Sequence, residues 1–518
     1  MSGEIHNSRE LSALALVGAF GAFGALQLAA FYNAGGPFEY PLDDVYIHLA
    51  VAEQIAQGNY GVNPGEVSSP ASSILYPFLL LPVAGLETQR LMPLLLNSFG
   101  LVLAAVYWAR LIAVSAIAPR ILALALAFLG PIVFNHAGLA FAGMEHTLHL
   151  SFSLMLVYGF LSYLRDNTIS MDLWLGIPLV VLTRFEGLGL ALSITAIIAL
   201  RGHWRAAIWL LVLAIGPMAA FVAGLMSQGL DPLPSSVQLK LHADTRVVEG
   251  SGFVGDILAM LRRNVQQPGS LVLGASMAML LVAWPFSTKF RTSGFRWLPL
   301  VALAAGTAHF LLGRFGWMNR YEIYVVSVVV AILVLVAGTS RFAPVRLTVL
   351  PPVVLGVLFY VPDMLGYYTL SPRAVTLQSA QIARLAQDHI KAPVAVNDIG
   401  RVAWGNQDYV LDLAGLAADE VREIRQSRPE NGWAGPLVAA RDVAAVMIYE
   451  SWFPRGIDPS WTKMGILHLE GSRGALGDSS VTVFAPTPAL IDPLLVNLGD
   501  WSRGLPNGSR FEFEEAFQ

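Results

Sequence analysis

The run LSALALVGAFGAFGALQLAAF, Leu11–Phe31, contains no charged side chain. A helix of about 20 apolar residues spans the hydrocarbon core of a bilayer, because its backbone N–H and C=O groups are bonded within the helix. The run therefore predicts a first membrane helix over residues 11–32. A cleaved signal peptide is the less favoured interpretation, because Glu4 and Glu10 replace the usual basic residues and the apolar run is long.

The composition of the whole chain predicts many such helices. Of the 518 residues, 55% are apolar and 13% are charged, whereas an ordinary soluble domain contains about 25% charged residues. The chain is therefore predicted to be an integral membrane protein. By the criterion of roughly 20 apolar residues, about eleven segments qualify as spans: 11–32, 72–88, 91–113, 119–134, 146–164, 172–200, 206–227, 270–287, 297–312, 321–338 and 345–362.

Basic residues in the short loops predict the orientation of these spans, because cytoplasmic loops are enriched in lysine and arginine. The loops that contain Asp43, Lys240 and Arg320, and everything after residue 362, are predicted to face outward. Two arginines between residues 113 and 172 do not fit the alternation, so the topology stays open there. The basic residues that define the inner face are Arg90, Arg201, Arg205, Lys289, Arg291, Arg296, Arg341 and Arg346.

The chain changes character after the last apolar segment. Short apolar runs such as VAVNDIG, VAAVMIYES and SSVTVFAP alternate with helical stretches and predict strands. We expect two domains: a helical membrane region over 1–362, with outward loops 33–71 and 228–269, and an extracytoplasmic α/β domain over 363–518. The predicted fold class is thus an α-helical polytopic membrane protein with a C-terminal α/β domain.

Two adjacent carboxylates, Asp43 and Asp44, are the first candidates for chemistry. Asp44 suits the N-cap of a helix predicted over 45–57, which we expect to lie along the membrane surface. Two neighbouring carboxylates also shift each other's pKa and suit a general base. From these residues alone, a helix cap with a solvated neighbour and a catalytic base both stay open.

Ionisable residues inside apolar segments supply a second candidate site. Arg184 and Glu186 lie within the predicted span 172–200, where charge is costly and marks either a functional site or a buried ion pair. If 172–200 forms two half-spans, the pair lies at an outward turn. Glu145, which enters the span 146–164, is a weaker candidate because the predicted topology places it on the inner side.

Cationic residues in outward loops supply a third candidate site. Lys240 suits the neutralisation of a phosphate, although a lysine in contact with solvent or lipid headgroups is the favoured interpretation of this residue alone. Arg320 and Tyr321 stand where a span meets the outward face, in the stretch LGRFGWMNRYEIYVV. An aromatic belt with anchoring arginines is one interpretation of that stretch, and a guanidinium that binds an anionic lipid headgroup is the other. No basic stripe indicates nucleic-acid binding, and the absence of cysteine excludes disulfides and thiolate metal sites.

The first loop contains a characteristic set of residues: Asp43, Asp44, Tyr46, Asn63, Pro64, Gly65, Glu66, Ser69 and Pro70. Four short blocks follow along the chain: GMEHTL at 143–148, TRFEG at 183–187, LPSSVQLK at 233–240 and NRYEIY at 319–324. In this order, the loop and the blocks resemble GT-C superfamily glycosyltransferases that use polyprenyl-phosphate sugars, especially the bacterial branch that contains terminal arabinofuranosyltransferases. The stretch 394–416 is similar to the opening of that family's C-terminal domain.

The resemblance implies an inverting sugar transfer at the outer face of the bacterial cytoplasmic membrane. A polyprenyl-phosphate sugar is the implied donor, a glycan or glycolipid the acceptor, and no cofactor is expected, although a divalent metal is not excluded. Asp43 or Asp44 is the implied general base, with Asp43 preferred because Asp44 is the better helix cap. The implied phosphate ligands are Lys240, Arg320 and Arg184, and the implied substrate contacts are Glu186, Tyr46, His48, Glu145 and Tyr321. In the C-terminal domain, Trp433 and Trp452 are candidates for stacking on a sugar.

Departures from the family pattern leave the sugar and the acceptor open. Phe185 stands where the family often has proline, Ser235 and Ser236 where it often has Asn-Thr, and His48 and Glu53 in a helix that is often arginine-rich. Arg184 and Glu186 also suit a transporter, in which substrate sites lie near the membrane midplane. A non-catalytic scaffold for envelope assembly is the third interpretation.

Overall fold

The computed structural model describes residues 7–35, 38–242, 252–427 and 430–517. Within these residues the chain is mostly helical up to residue 390 and forms one mixed sheet after it. The helices of the first part are α1 (Ser8–Ala34), α2 (Asp44–Ala56), α3 (Tyr76–Leu79), α4 (Met92–Ser115), α5 (Arg120–Val133), α6 (His136–Ala142), α7 (His146–Asp166), α8 (Met171–Thr183), α9 (Gly187–Leu200), α10 (Trp204–Ser227), α11 (Ser235–His242), α12 (Gly252–Asn264), α13 (Pro268–Ala283), α14 (Thr288–Thr292), α15 (Trp297–Leu312), α16 (Ile323–Gly338), α17 (Leu350–Leu377) and α18 (Ser379–Arg384).

Eight helices among the described residues are long and apolar enough to cross a membrane, and α8, α9 and α16 are shorter apolar helices. The chain is therefore a multi-pass membrane protein. α16 lies at the centre of the bundle, where every side chain from Ile323 to Ala337 is buried, packed between α4, α7, α13 and α15. Its continuous run of valine, isoleucine and leucine suits a helix that contacts other helices on all sides.

Two of the predicted spans are wrong. The only α-helix in the segment 72–88 is α3: Pro77 lies in its first turn, Pro82 follows its end, and Val83 and Gly85 adopt positive φ angles of 59° and 78°. The segment 172–200 is not one span but two half-helices, α8 and α9, which separate at Arg184. Arg184 and Glu186 lie at the break between these half-helices, and charged side chains are costly inside an apolar membrane helix.

The predicted C-terminal α/β domain is confirmed. It contains β1 (Val394–Val396), β2 (Val410–Asp412), β3 (Ala445–Ile448), β4 (Thr462–Leu469), β5 (Ser480–Ala485) and β6 (Ser509–Phe513), with helices α19 (Gly400–Ala403), α20 (Asp419–Gln426), α21 (Ala434–Ala440) and α22 (Ile491–Arg503). The strand order is β2-β1-β3-β5-β4-β6, parallel among the first three strands and antiparallel among the rest. α20 and α21 cover one face of the sheet, and α18 and α22 cover the other.

The membrane region and the α/β domain share a helix rather than a linker. α17 continues unbroken through residue 362, the predicted domain boundary, to Leu377, and α18 follows at once. The first strand, β1, begins only at Val394. The orientation of the sheet domain is therefore set by a helix that is anchored in the bundle.

The first outward loop lies between the bundle and the sheet domain. α2 begins at Asp44, one residue before the predicted start, so Asp43 occupies the N-cap position, and its side chain makes no capping hydrogen bond. Nearly all of its side chains from Val45 to Gln54 are buried, and it packs against α19 of the sheet domain. The α/β domain therefore covers α2, and its position along the membrane surface stays a prediction.

Side chains of this loop bind backbone groups of the sheet domain. Both oxygens of Asp43 accept hydrogen bonds, from the amides of Gly400 at 2.7 Å and Arg401 at 3.0 Å. Asn63 pairs with both backbone groups of Val410, at 2.9 and 3.0 Å, and so extends the edge of β2. Glu66 accepts a 3.0 Å bond from the hydroxyl of Tyr409. The Asp-Asp and Asn-Pro-Gly-Glu blocks thus hold the two domains together.

We expect Gly400→Ala to weaken this docking, because a Cβ at position 400 would overlap the carbonyl oxygen of Asp43. Such overpacking costs about 1–3 kcal/mol, which a shift of the unfolding transition in detergent would measure. Gly499→Ala in α22 is the matched control, since nothing lies within 4 Å of the added methyl group and alanine favours a helix. Equal unfolding curves for the two variants would contradict the docking role.

Candidate active site

Asp44 is the accessible member of the carboxylate pair. Its side chain is 40% exposed, and Oδ2 lies 2.6 Å from Nη2 of the buried Arg320. Asp43 is 8% exposed and has both oxygens bound to backbone amides. The preference for Asp43 as base rests on the premise that Asp44 caps α2, and that premise is wrong. Because Asp43 fastens the sheet domain, the adjacent Asp44 is held at a fixed place above the bundle.

A strained turn positions Arg320. Four consecutive residues before it, Gly316, Trp317, Met318 and Asn319, have φ angles of 82°, 48°, 64° and 53°. Three of these are not glycine, and left-handed backbone is costly for such residues and clusters at functional sites. The turn is held from the bundle by the hydroxyl of Tyr368, which donates to the Met318 carbonyl at 2.8 Å.

Arg184, Glu145 and Glu186 form a buried ionic network at the break between α8 and α9. Arg184 Nη1 lies 2.5 Å from Glu145 Oε1, and Nη2 lies 2.7 Å from Glu186 Oε1. Glu145 also accepts a 2.8 Å bond from the hydroxyl of Ser72, and its second oxygen lies 3.5 Å from Nε2 of His48. The predicted inner position of Glu145 is therefore wrong, because this residue shares a cluster with the loop residues of the Asp44 face.

A cavity of about 300 Å³ opens beside this network. Most of its wall is apolar, contributed by side chains such as Leu188, Leu312 and Met260, and Arg184, Arg263 and Arg314 also line it. Several guanidiniums in an apolar pocket suit a ligand that joins a phosphate to a hydrocarbon. Arg263 and Arg314 lie in regions that the apolar pattern marks only as loops, and no motif in the sequence indicated that Arg263 joins the site.

Tyr321 connects the cavity to Asp44. Its ring lies within reach of three guanidinium carbons, at 5.5 Å from Arg184, 6.0 Å from Arg314 and 5.1 Å from Arg320. Its hydroxyl accepts a 3.1 Å bond from Nη2 of Arg320, the same nitrogen that contacts Asp44. Two further nitrogens of the buried Arg320, Nε and Nη1, make no hydrogen bond within the described part of the chain. Arg320 thus retains donors for an anionic group.

The structure does not bring every predicted site residue to this cavity. Tyr46 is buried beneath the sheet domain, where its hydroxyl contacts Glu39 and its ring packs against Trp404 at 5.6 Å. His48 contacts the cluster through Glu145 and Ser72. The side chain of Lys240 lies outside the described residues, although its backbone belongs to α11.

Asp398, which no sequence pattern singled out, lies close enough to Asp43 and Asp44 for their charges to act on its carboxyl. Burial raises the pKa of its carboxyl above the ordinary value, and the negative charge of Asp43 acts in the same direction. Its Oδ2 lies 3.0 Å from the hydroxyl of Tyr449. Burial likewise raises the pKa of Asp43, against the lowering effect of the two amides that it binds.

These carboxyls predict how stability depends on pH. Because the folded protein holds both protons more tightly than the unfolded chain, their contribution is fully present below the ordinary carboxyl pKa of about 4 and is lost as the pH rises through the raised values. We expect the unfolding temperature to fall over that window, and Asp398→Asn to flatten the fall. Unfolding scans of both proteins across the window test this, and parallel curves would contradict it.

No group of three or more His, Cys, Asp or Glu side chains in the described part of the chain is suited to hold a metal ion. The candidate site consists of arginines, carboxylates, tyrosine and histidine around an apolar cavity. These groups can bind an anion and transfer a proton.

Comparisons with known proteins give a partial match. A family model described as "Domain of unknown function (DUF8728)" matches residues 370–484, from the end of α17 to β5. The crystal structure of an Archaeoglobus fulgidus oligosaccharyltransferase, in complex with zinc and sulfate, is similar with a TM-score of 0.47 and 13% identity over 97% of this chain and 75% of that one. No curated protein matches the chain by sequence. The site is therefore interpreted from its own geometry.

Proposed function

We propose that this protein is a GT-C membrane glycosyltransferase that moves a sugar from a polyprenyl-phosphate donor to a cell-envelope glycan or glycolipid. The observation that carries the proposal is the apolar cavity lined by Arg184, Arg263 and Arg314, which Tyr321 links to the accessible Asp44. A hydrophobic wall with cations suits a phosphate on a lipid tail. In the proposed orientation, this site and the sheet domain lie on the outer face of the bacterial cytoplasmic membrane.

The proposed reaction uses these groups in one displacement. The donor phosphate lies against the cavity arginines, with the sugar directed toward Asp44. Asp44 takes the proton from an acceptor hydroxyl as that oxygen attacks the anomeric carbon, and the bond from this carbon to the phosphate oxygen breaks. The electron pair leaves with the polyprenyl phosphate, whose negative charge the guanidiniums stabilise. Attack opposite the leaving group inverts the anomeric centre.

The contacts give each neighbouring residue a supporting role. Arg320 holds Asp44 through Nη2, at 2.6 Å, and the Tyr321 hydroxyl fixes the same guanidinium. Glu145 and Glu186 hold Arg184 at the cavity wall. Contacts with two carboxylates and with the donor phosphate would compensate Arg184 for its burial among apolar helices.

Sugar transfer by the purified protein in nanodiscs tests the proposal. A pool of polyprenyl-phosphate sugars would be supplied with envelope extract, and released polyprenyl phosphate and the mass of the product would be measured. A hydrogen bond to a charged group contributes about 1.5–3 kcal/mol, so Arg314→Ala is expected to raise the KM for the donor roughly 10- to 100-fold. Arg341→Ala, an exposed arginine of the predicted inner face, is the matched control.

The same experiment distinguishes the competing interpretations. Equal donor KM values for the two arginine variants would remove the cavity from donor binding. Uptake of a solute into proteoliposomes that depends on Arg184, without any release of polyprenyl phosphate, would favour a transporter. No transfer by the purified wild type, together with envelope assembly in cells that is unaffected by substitutions at the site, would favour a scaffold.

A further inference from the structure

We infer that a second cavity, between the helical bundle and the sheet domain, binds a neutral oligosaccharide, the acceptor of the transfer. That the bound oligosaccharide is an acceptor rests on the proposed function. The cavity itself is separate from the donor site. Its volume is about 410 Å³, within the range of ligand pockets. We call it the interdomain cleft; the bundle contributes Gln267, Trp317, Asn319, Asp363 and Tyr367, and the sheet domain contributes Trp452 and Arg473.

Exposed aromatic rings from three separate segments meet in the interdomain cleft. Trp317 of the strained turn is 52% exposed, Tyr367 of α17 is 40% exposed and Trp452 of the sheet domain is 39% exposed. Large rings left partly open in a concave surface mark a binding site rather than a core. A sugar ring presents C–H groups on its faces, so it fits flat against such a ring.

The polar groups of the cleft suit the hydroxyls at the edge of a sugar. Asp363 Oδ2 and Asn319 Nδ2 are joined at 2.8 Å and together present a carboxylate acceptor and amide groups. Arg473 donates to the carbonyl of Gly477 and contributes the balancing positive charge. One carboxylate and one guanidinium favour an uncharged chain over a polyanion, in contrast to the donor cavity, where arginines dominate.

Trp452 is held in its orientation by the sheet domain. Its ring meets that of Tyr449 edge to face at 5.1 Å, and its other side lies against Gly477, where an added Cβ would overlap the indole. A fixed indole loses little conformational freedom when a ligand binds. The absence of a side chain at Gly477 therefore makes room for the ring that the cleft presents.

The strained turn separates the interdomain cleft from the donor cavity. Residues 316–319 line the cleft, whereas Gly313 and Arg314 before the turn, and Tyr321 after it, line the donor cavity. Arg320, which holds Asp44, lies between the two sets in the chain. A donor in one cavity and an acceptor in the other would thus approach each other at the turn, beside Asp44.

Binding by the full-length protein in nanodiscs tests the inference without any transfer reaction. The probes are short arabinan, mannan and galactan fragments and a uronic-acid oligosaccharide, with affinity measured by saturation-transfer NMR and titration. We expect a neutral fragment to bind wild type. Trp452→Ala, which removes the ring, and Gly477→Ala, which displaces it, should each weaken binding about tenfold, while Tyr32→Ala, an exposed aromatic of α1, should leave it unchanged.

Each outcome decides for or against the interdomain cleft. Affinity that stays at the wild-type value in both cleft variants, with unfolding temperatures intact, would overturn the inference, as would binding of the acidic probe alone or of no neutral probe. Trp452→Phe, which keeps a ring in place, should recover most of the affinity if Trp452→Ala folds poorly. Donor binding, measured in parallel as thermal stabilisation by polyprenyl phosphate, separates this inference from the proposed function, since each binding event fails independently.

Discussion

Asp44→Asn is expected to lower the kcat of sugar transfer by about 10²–10⁴-fold, the usual contribution of a positioned general base. The amide keeps the shape of the side chain and a carbonyl oxygen toward Arg320, which contacts Asp44 at 2.6 Å, but it cannot accept the proton of the acceptor hydroxyl. The donor KM should change little, because Asp44 does not line the donor cavity. Steady-state release of polyprenyl phosphate from nanodisc-embedded protein measures both constants.

Asp43→Asn is the matched comparison, one residue away with the same change in charge. Its two backbone hydrogen bonds, at 2.7 and 3.0 Å, make it a docking residue, so we expect a lower unfolding temperature and a much smaller fall in kcat. The reverse result, with transfer lost in Asp43→Asn and retained in Asp44→Asn, would assign the base to Asp43 and contradict the mechanism proposed above.

Hydropathy predicts most of the membrane region because apolar length is a local property of the chain. It cannot separate one long span from two half-helices when their junction is short, as at Arg184. It also predicts a full span for the apolar stretch 72–88 unless the prolines at 77 and 82 are given more weight than the leucines. The alternation of strands and helices in the C-terminal domain is equally local, so its class could be predicted and its strand order could not.

The pairings at the site depend on contacts between residues far apart in the chain. Asp44 meets Arg320, Asp43 meets Gly400 and Asn63 meets Val410, and no spacing rule connects such partners. The family resemblance identifies the first-loop blocks together. It does not distinguish Asp44, which stays accessible, from the loop residues that bind the sheet domain. The interdomain cleft was not predictable, because its walls come from segments that only the docked domain brings together.

Arg184→Met is expected to destabilise the protein by about 3–5 kcal/mol, the usual cost of removing one partner of a buried ion pair. Arg184 is buried, at 2.5 Å from Glu145 and 2.7 Å from Glu186, so its removal deprives both carboxylates of the guanidinium that they share. We also expect weaker donor binding, because Arg184 lines the cavity. Unfolding in detergent measures the first effect, and stabilisation by polyprenyl phosphate measures the second.

The double variant Arg184→Met/Glu145→Gln separates these two roles. Replacing Glu145 with a neutral amide removes one of the two carboxylate charges that the loss of Arg184 leaves unpaired. The hydroxyl of Ser72, which donates to Glu145 at 2.8 Å, still has an oxygen acceptor in the amide. Part of the lost stability should therefore return. Donor binding should not return, because the guanidinium itself is missing. If the double variant recovered both stability and donor affinity, Arg184 would be a structural residue only; if stability stayed as low as in the single variant, the cost would come from lost packing rather than from the unpaired carboxylate. The expected split, with folding restored and phosphate affinity still reduced, would show that the ion network places this arginine for the donor.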